Sequence, residues 1–154
     1  MTPSSLREQL VRDEGGYRRF VYDDKDATKK LGLGYTLKGI PTIGVGRNLR
    51  DKGISHAESD ILLDNDITAA SAEVSAEIPW SIVSLDEIRR EVLINLSFNM
   101  GIAGLITQNP KFLAALQAGR WEEAAAELLD GPYKKQVGPR AYRLAEQILS
   151  GVRQ

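Results

Sequence analysis

The chain has 154 residues, no cysteine, a single histidine and a formal net charge of −1, which suits one domain with a real hydrophobic core. Disulfides, thiolate metal sites and a multi-histidine metal centre are excluded, a Ser-His-Asp triad has no choice of base, and no global basic field draws the chain onto nucleic acid. No apolar stretch approaches the ~20 residues of a membrane span, and residues 1–10 lack the apolar core of a signal peptide, so the expectation is cytoplasmic synthesis without an anchor or an export signal of its own.

Residues 4–14 predict a helix, with Leu6, Leu10 and Val11 at helical spacing and Ser4 or Ser5 as its cap. Gly15-Gly16 supplies a left-handed exit. Tyr17 to Tyr22 is aromatic and β-branched and reads as strand. From Asp23 to Arg50 no helical period is present, and Gly32, Gly34, Gly39, Gly44 and Gly46 punctuate what reads as a small sheet of hairpins.

After Gly53 the pattern becomes helical. Ser55-His56-Ala57-Glu58 is a capping box opening a long helix to about Glu77, with Ile61, Leu62, Asn65, Ala69, Ala72 and Ala76 as its expected stripe and Pro79 as its stop. Ser84-Leu85-Asp86-Glu87 reads as a second box, opening a helix to Met100. Its apolar residues (Ile88, Val92, Ile94, Leu96, Phe98) lie nearly all round, which marks a central buried helix ended by Gly101. A loop with Gly104 follows, then helices from Pro110 to Ala118 and from Trp121 to Leu129. Pro139 starts the last helix, with a stripe of Ala141, Leu144, Ala145, Ile148, Leu149 and Val152. This order predicts an α+β protein with a small β lobe ahead of a helical lobe.

Glu14 is the most informative residue. A Glu near a helix end is by default a solvated charge. At the C-terminus, however, it faces the negative end of the macrodipole, a disfavoured placement costing about 0.3–1 kcal/mol at exposed sites. That field, with partial burial, favours the protonated carboxyl that a general acid needs. Asp23, Asp24 and Asp26 follow in a loop where acidic residues are usually turn formers. Glycoside cleavage needs two carboxyls flanking the scissile bond, and a helix-end Glu and a hairpin Asp can converge on one cleft. Thr42, in a Thr-Ile-Gly-Val-Gly run, has a hydroxyl able to hold a water. Gly44-Val45-Gly46 lacks the third glycine of a dinucleotide fingerprint, and no P-loop occurs. Arg18-Arg19, Lys29-Lys30, Arg89-Arg90 and Lys134-Lys135 read as solvated faces, Trp80 and Trp121 as structural, and His56 as a surface residue.

These residues fall into a known order. Asp13-Glu14-Gly15, Tyr22-x-Asp24 and Thr42-Ile43-Gly44-Val45-Gly46 resemble the phage T4-type lysozymes, the glycoside hydrolase family 24 endolysins. Leu93 to Gly101, Arg120 to Ala125 and Gln136 to Ala141 extend the likeness over nearly the whole chain. The resemblance implies a single lysozyme-like domain over residues 1–154. Its β lobe would span about 15–54, and its helical lobe about 78–154 plus the N-terminal helix. The long helix would join the lobes and a substrate cleft would lie between them. It implies Glu14 as general acid, Asp24 as second carboxylate and Thr42 as the residue positioning water. Asn48 and Phe98 would line the sugar cleft, and Arg140 would hold Glu14.

The implied activity is hydrolysis of the β-1,4 bond between N-acetylmuramic acid and N-acetylglucosamine, without metal or cofactor. The implied partner is the peptidoglycan glycan strand, and the implied setting is host lysis. A monomer would wait in the host cytoplasm for a holin-type partner and then act in the periplasm, with no nucleic acid bound. A lytic transglycosylase, and a non-catalytic module binding peptidoglycan or nucleic acid, are the alternatives. Two departures stand out. Seventeen residues, Lys25 to Pro41, separate Asp24 from Thr42, where the family has only a few. Asp23, Asp24 and Asp26 therefore remain in competition, with the spacing from Tyr22 placing the family's carboxylate at Asp24. Where the family carries a histidine, this chain has Arg47, and a salt bridge to Asp66 is the expected replacement.

Overall fold

The computed structural model describes residues 5–154, without the side chains of Lys29, Lys30, Pro132, Lys135 and Gln136. The architecture is α+β. Contacts divide the chain into a first unit ending at Ser59 and a second, Asp60–Gln154.

The first unit opens with α1 (Leu6–Asp13), capped by Ser5, whose hydroxyl accepts the Glu8 N–H at 3.2 Å. Ser4 lies outside the described residues. The exit of α1 is a Schellman motif: Gly16 N–H donates to Val11 O at 2.8 Å and Gly15 N–H to Arg12 O at 3.1 Å. This closure requires a left-handed residue after the cap, and Gly15 supplies it with φ +74°. Glu14 is therefore the C-cap residue, fixed by backbone bonds on both sides.

The sheet contains β1 (Arg18–Asp23), β2 (Asp26–Lys30), β3 (Pro41–Gly44) and β4 (Arg47–Asn48), in the spatial order β2-β1-β3-β4 with antiparallel pairing throughout. Tyr22 stands opposite Thr42, and Thr42 opposite Asn48. Directly opposed residues share a face, so these three side chains form one row across three strands. The pairing of β1 with β2 shifts between Tyr22 and Asp23. Residues 31–40 form no strand and connect β2 to β3.

The capping box at Ser55 is present. The Ser55 hydroxyl accepts the Glu58 N–H, and the Glu58 carboxylate accepts the Ser55 N–H at 2.8 Å. The same carboxylate takes Arg47 in a two-point pair at 2.8 and 2.9 Å. The partner of Arg47 is thus Glu58 rather than the expected Asp66. Hydrogen bonding from Ser55, offset in part by desolvation and reinforced by Arg47, holds the Glu58 carboxyl below its ordinary value.

The second unit contains most of α2 (His56–Glu77), then α3 (Trp80–Ser84), α4 (Glu87–Gln108), α5 (Pro110–Gln117), α6 (Trp121–Asp130), α7 (Pro132–Val137) and α8 (Pro139–Ser150). Its core is built from Val74, Ile78, Val92, Leu93, Leu96, Leu105, Phe112, Leu116, Leu128 and Ile148, with alanines of α5, α6 and α8 between them. The buried residues of α2 are Ala70 and Val74, not the expected stripe through Ile61 and Leu62, which are exposed. Alanines on several faces of this helix make its period ambiguous, and the β-branched Val74 marks the side that packs.

Ser84 ends α3 and does not cap the next helix. Asp86 does that, accepting the Arg89 N–H at 2.8 Å. Gly101 leaves helical geometry (φ +75°, ψ 154°), as its sequence position suggests, but the chain resumes as helix to Gln108 instead of forming a loop. Arg89 ties the C-terminus of α8, donating to Ile148 O at 2.7 Å and Leu149 O at 3.2 Å while stacking over Trp121 at 4.3 Å. A cation placed on carbonyls that the helix leaves unpaired complements the helix dipole.

Candidate active site

The first unit contains a cleft of about 340 Å³ lined by Asp13, Glu14, Arg18, Tyr22, Asp24, Ala27, Ile40, Thr42, Gly46 and Asn48. Four of the six residues expected from sequence therefore line one cavity. The floor is the row Tyr22, Thr42 and Asn48 described above. Arg18 reaches the same cleft across an irregularity in the β1–β3 pairing, and Asp24 lies in the turn just after β1.

Glu14 enters from the rigid end of α1. Glu14 is exposed rather than partly buried as expected from sequence, because it stands at the open end of α1, and the β3–β4 turn passes directly against its carboxylate. A Cβ on Gly46 would stand 2.1 Å from Glu14 Oε2 and 2.6 Å from its Cδ, so only a glycine admits the acid where it stands.

The three aspartates have different partners: Asp23 ends β1, Asp24 lies in the turn after it, and Asp26 opens β2. Asp24 is exposed and lines the cleft; its Oδ1 accepts the Ile40 N–H at 2.7 Å. Asp23 is fully buried. Its carboxylate accepts the N–H groups of Lys25 at 2.9 Å and Lys38 at 2.6 Å and the Tyr35 hydroxyl at 3.1 Å. Burial pushes the Asp23 carboxyl up. The N–H groups of Lys38 and Lys25, the Tyr35 hydroxyl and the Gly39 N–H outweigh that and hold it below its ordinary value. Burial of Tyr35 and its bond to Asp23 push that phenol up. Asp26 accepts the Thr28 hydroxyl at 2.7 Å and lies 3.6 Å from Lys38 Nζ.

Thr42 is nearly buried, and its hydroxyl donates to Ile40 O at 3.1 Å. What Thr42 offers the cleft is therefore a lone pair, suited to accepting a hydrogen from water. The Asn48 side chain closes a turn, donating to Asp51 Oδ2 at 2.7 Å and accepting the Asp51 N–H at 2.9 Å. Arg18, which reads as a solvated cation in sequence, is a cleft residue. It stacks over the Tyr22 ring at 4.7 Å and donates to Ala27 O at 2.9 Å. Its contacts with Tyr22 and Ala27 reveal this role, because an Arg-Arg pair carries no facing signal of its own.

The other two expected residues belong to the second unit. Phe98 is 43% exposed. Arg140 donates from Nε and Nη2 to Asn95 Oδ1 at 2.9 and 2.6 Å. Both line a hollow of about 510 Å³ with Leu63, Ile67, Arg90 and Ile94 among its walls. Among the described residues no group of three or more acidic, histidine or cysteine side chains is placed to hold a metal ion, and no helix is long and apolar enough to cross a membrane.

Comparison with known proteins places the chain in a family. The phage lysozyme family model matches residues 12–146. The chain is 24% identical to probable T4-type lysozyme 1 and 27% identical to probable T4-type lysozyme 2 of Dictyostelium discoideum, each over 96% of this chain and 95% of the relative. It is also 28% identical to the pre-baseplate central spike protein Gp5 of Enterobacteria phage T4, over 96% of this chain and 28% of that protein. The chain belongs to the phage lysozyme family, and its activity class is that of a lysozyme-type glycosidase.

Proposed function

We propose that the protein hydrolyses the β-1,4 bond between N-acetylmuramic acid and N-acetylglucosamine in peptidoglycan, with Glu14 as proton donor and Asp24 as the second carboxylate. The observation that carries this reading is the convergence of Glu14, Asp24 and Thr42 on one cleft of the first unit. Glu14 gives its proton to the glycosidic oxygen as the bond to the anomeric carbon breaks. Positive charge then builds on the sugar ring, and the Asp24 carboxylate stabilises it. A water hydrogen-bonded to Thr42 Oγ1 adds to the anomeric carbon, and Asp24 guides it and takes its proton. A Schellman exit fixes the backbone that carries the acid, and the Ile40 N–H holds the Asp24 carboxylate, so the second carboxylate has little freedom to lose on binding.

Asn48, with its amide committed to Asp51, serves as a shaped wall. Phe98 and Arg140 are assigned sugar contact and support of Glu14 on the family resemblance. The biological setting this reading favours is host lysis by a monomer, released by a holin-type partner to reach periplasmic peptidoglycan.

Mass spectrometry of the digestion products tests the reaction. New reducing N-acetylmuramic acid ends, each carrying the elements of water, are the expected result. Anhydromuramic ends would instead identify a lytic transglycosylase. Binding to peptidoglycan without new ends would leave a non-catalytic module.

A further inference from the structure

We propose that Asp23 is a positioning residue: it pins the inserted segment between β2 and β3 so that Ile40 holds the Asp24 carboxylate and the Thr42 hydroxyl in the cleft. The inference rests on the reading of Asp24 and Thr42 given above.

The inserted segment needs an anchor. Residues 31–40 pair with no strand, and fixing backbone costs about 1–2 kcal/mol per residue. Leu33, within it, is fully exposed, so apolar burial there does not hold it. The Asp23 carboxylate instead takes two donors from the segment, the Tyr35 hydroxyl and the Lys38 N–H, and ties them to the β1–β2 turn through the Lys25 N–H. All of these donors are backbone N–H groups or a phenol. Lys38 contributes its N–H, while its ammonium group lies near Asp26. A buried carboxylate satisfied by oriented dipoles has a geometry set by the backbone, which suits it to fixing a chain in place.

The stretch so fixed leads into the site. Two residues after Lys38, the Ile40 N–H donates to Asp24 Oδ1 at 2.7 Å, while Ile40 O accepts both the Asp24 N–H and the Thr42 hydroxyl at 3.1 Å. Ile40 is thus a shared partner of two cleft residues. Gly39 passes between the carboxylates so closely that a Cβ there would stand 1.9 Å from Asp24 Oδ1 and 2.8 Å from Asp23 Oδ1. With Oδ1 committed to Ile40, Asp24 keeps Oδ2 for sugar or water.

The test uses Asp23→Asn, Tyr35→Phe and Asp24→Asn in the full chain, with two readouts. One is the initial rate of peptidoglycan clearing against substrate concentration. The other is the Ile40 amide resonance in a nitrogen–proton NMR spectrum. Asp23→Asn turns an acceptor into a donor opposite fixed donors. It is expected to lower kcat by roughly 10- to 100-fold, with KM within about threefold, because sub-ångström placement of reacting groups carries that weight. The Ile40 amide is expected to move in the same direction as in Asp24→Asn. Tyr35→Phe removes one donor and is expected to lower kcat by roughly 2- to 10-fold; it decides the matter by the same readouts if Asp23→Asn does not fold.

A lowered melting temperature with wild-type kcat and an unmoved Ile40 amide would overturn the proposal and leave Asp23 a stabilising group only. If Asp24→Asn itself keeps wild-type kcat, the failure is that of the site reading, and it shows in that variant alone.

Discussion

Replacing Gly46 with alanine puts a methyl group where the Glu14 carboxylate stands. The new Cβ would lie 2.1 Å from Oε2, against an ordinary carbon–oxygen approach of about 3.3 Å. The carboxylate must therefore retreat by roughly 1 Å, a displacement that costs on the order of 100-fold in rate when it falls on a reacting group. The move is cheap for the fold, because the end of a flexible side chain absorbs it. Alanine at φ +64° adds backbone strain of about 1–2 kcal/mol, or roughly 2–8 °C of melting temperature at this chain length.

Gly44 is the matched control. Its φ is +66°, and a Cβ there meets nothing within 4 Å. Gly44→Ala is expected to lose the same stability and keep most activity, while Gly46→Ala loses about two orders of magnitude. Clearing rates on peptidoglycan, measured beside calorimetric melting for both variants, make the comparison. Equal activity losses in the two would show that strain, not displacement of Glu14, governs the effect, and the reasoning would fall.

Three further outcomes are expected. Hydrogen bonds hold the folded Asp23 carboxyl below its ordinary value, so its stabilising contribution is complete above the unfolded carboxyl range and is lost as pH falls through the lowered folded value. The gap in melting temperature between wild type and Asp23→Asn should hold constant from neutral to about pH 5 and shrink in stronger acid; a gap that widens on acidification contradicts the assignment. Leu93→Ala, at a fully buried position of α4, should cost roughly 2–5 kcal/mol in denaturant unfolding, and a loss under about 1 kcal/mol would mean that α4 is not central to the core. Ser55→Ala should cost about 1 kcal/mol through loss of the cap of α2, with no change in clearing rate once the protein is folded.

The local signals that sequence carries well are those with short range. Gly15-Gly16 after an amphipathic run marks the end of α1, and its hydrogen bonds are those of a Schellman exit. Ser55 and Glu58 sit three apart and close a capping box. Pro139 opens α8, whose Ala141, Leu144, Ala145 and Ile148 are buried at the expected spacing.

Signals that depend on more distant chain are weaker. The short α3 and α7 hold too few residues for a period to register. Gly101 breaks the helical angles, yet Ile102, Leu105 and Ile106 carry the apolar pattern onward against the core, so a glycine that reads as a stop acts as a kink. Asp23 and Asp24 are neighbours of the same type, and nothing local tells them apart. Their difference comes from the end of β1 at Asp23 and from a segment folded back from residues 35–40, which gives each carboxylate its own donors. Arg47 finds Glu58 rather than Asp66 because the capping box already presents that carboxylate beside β4.

The central claim is that Glu14 donates the proton that breaks the glycosidic bond. Glu14→Gln keeps the shape and the helix-end hydrogen bonds, which are all backbone, and removes only the acid. Its clearing rate on outer-membrane-stripped bacteria, taken beside its melting temperature, is the most direct measurement. The expected result is an unchanged melting temperature with activity reduced by at least about 100-fold, the lower end of general-acid contributions. A variant that melts with the wild type and clears at the wild-type rate would contradict the claim.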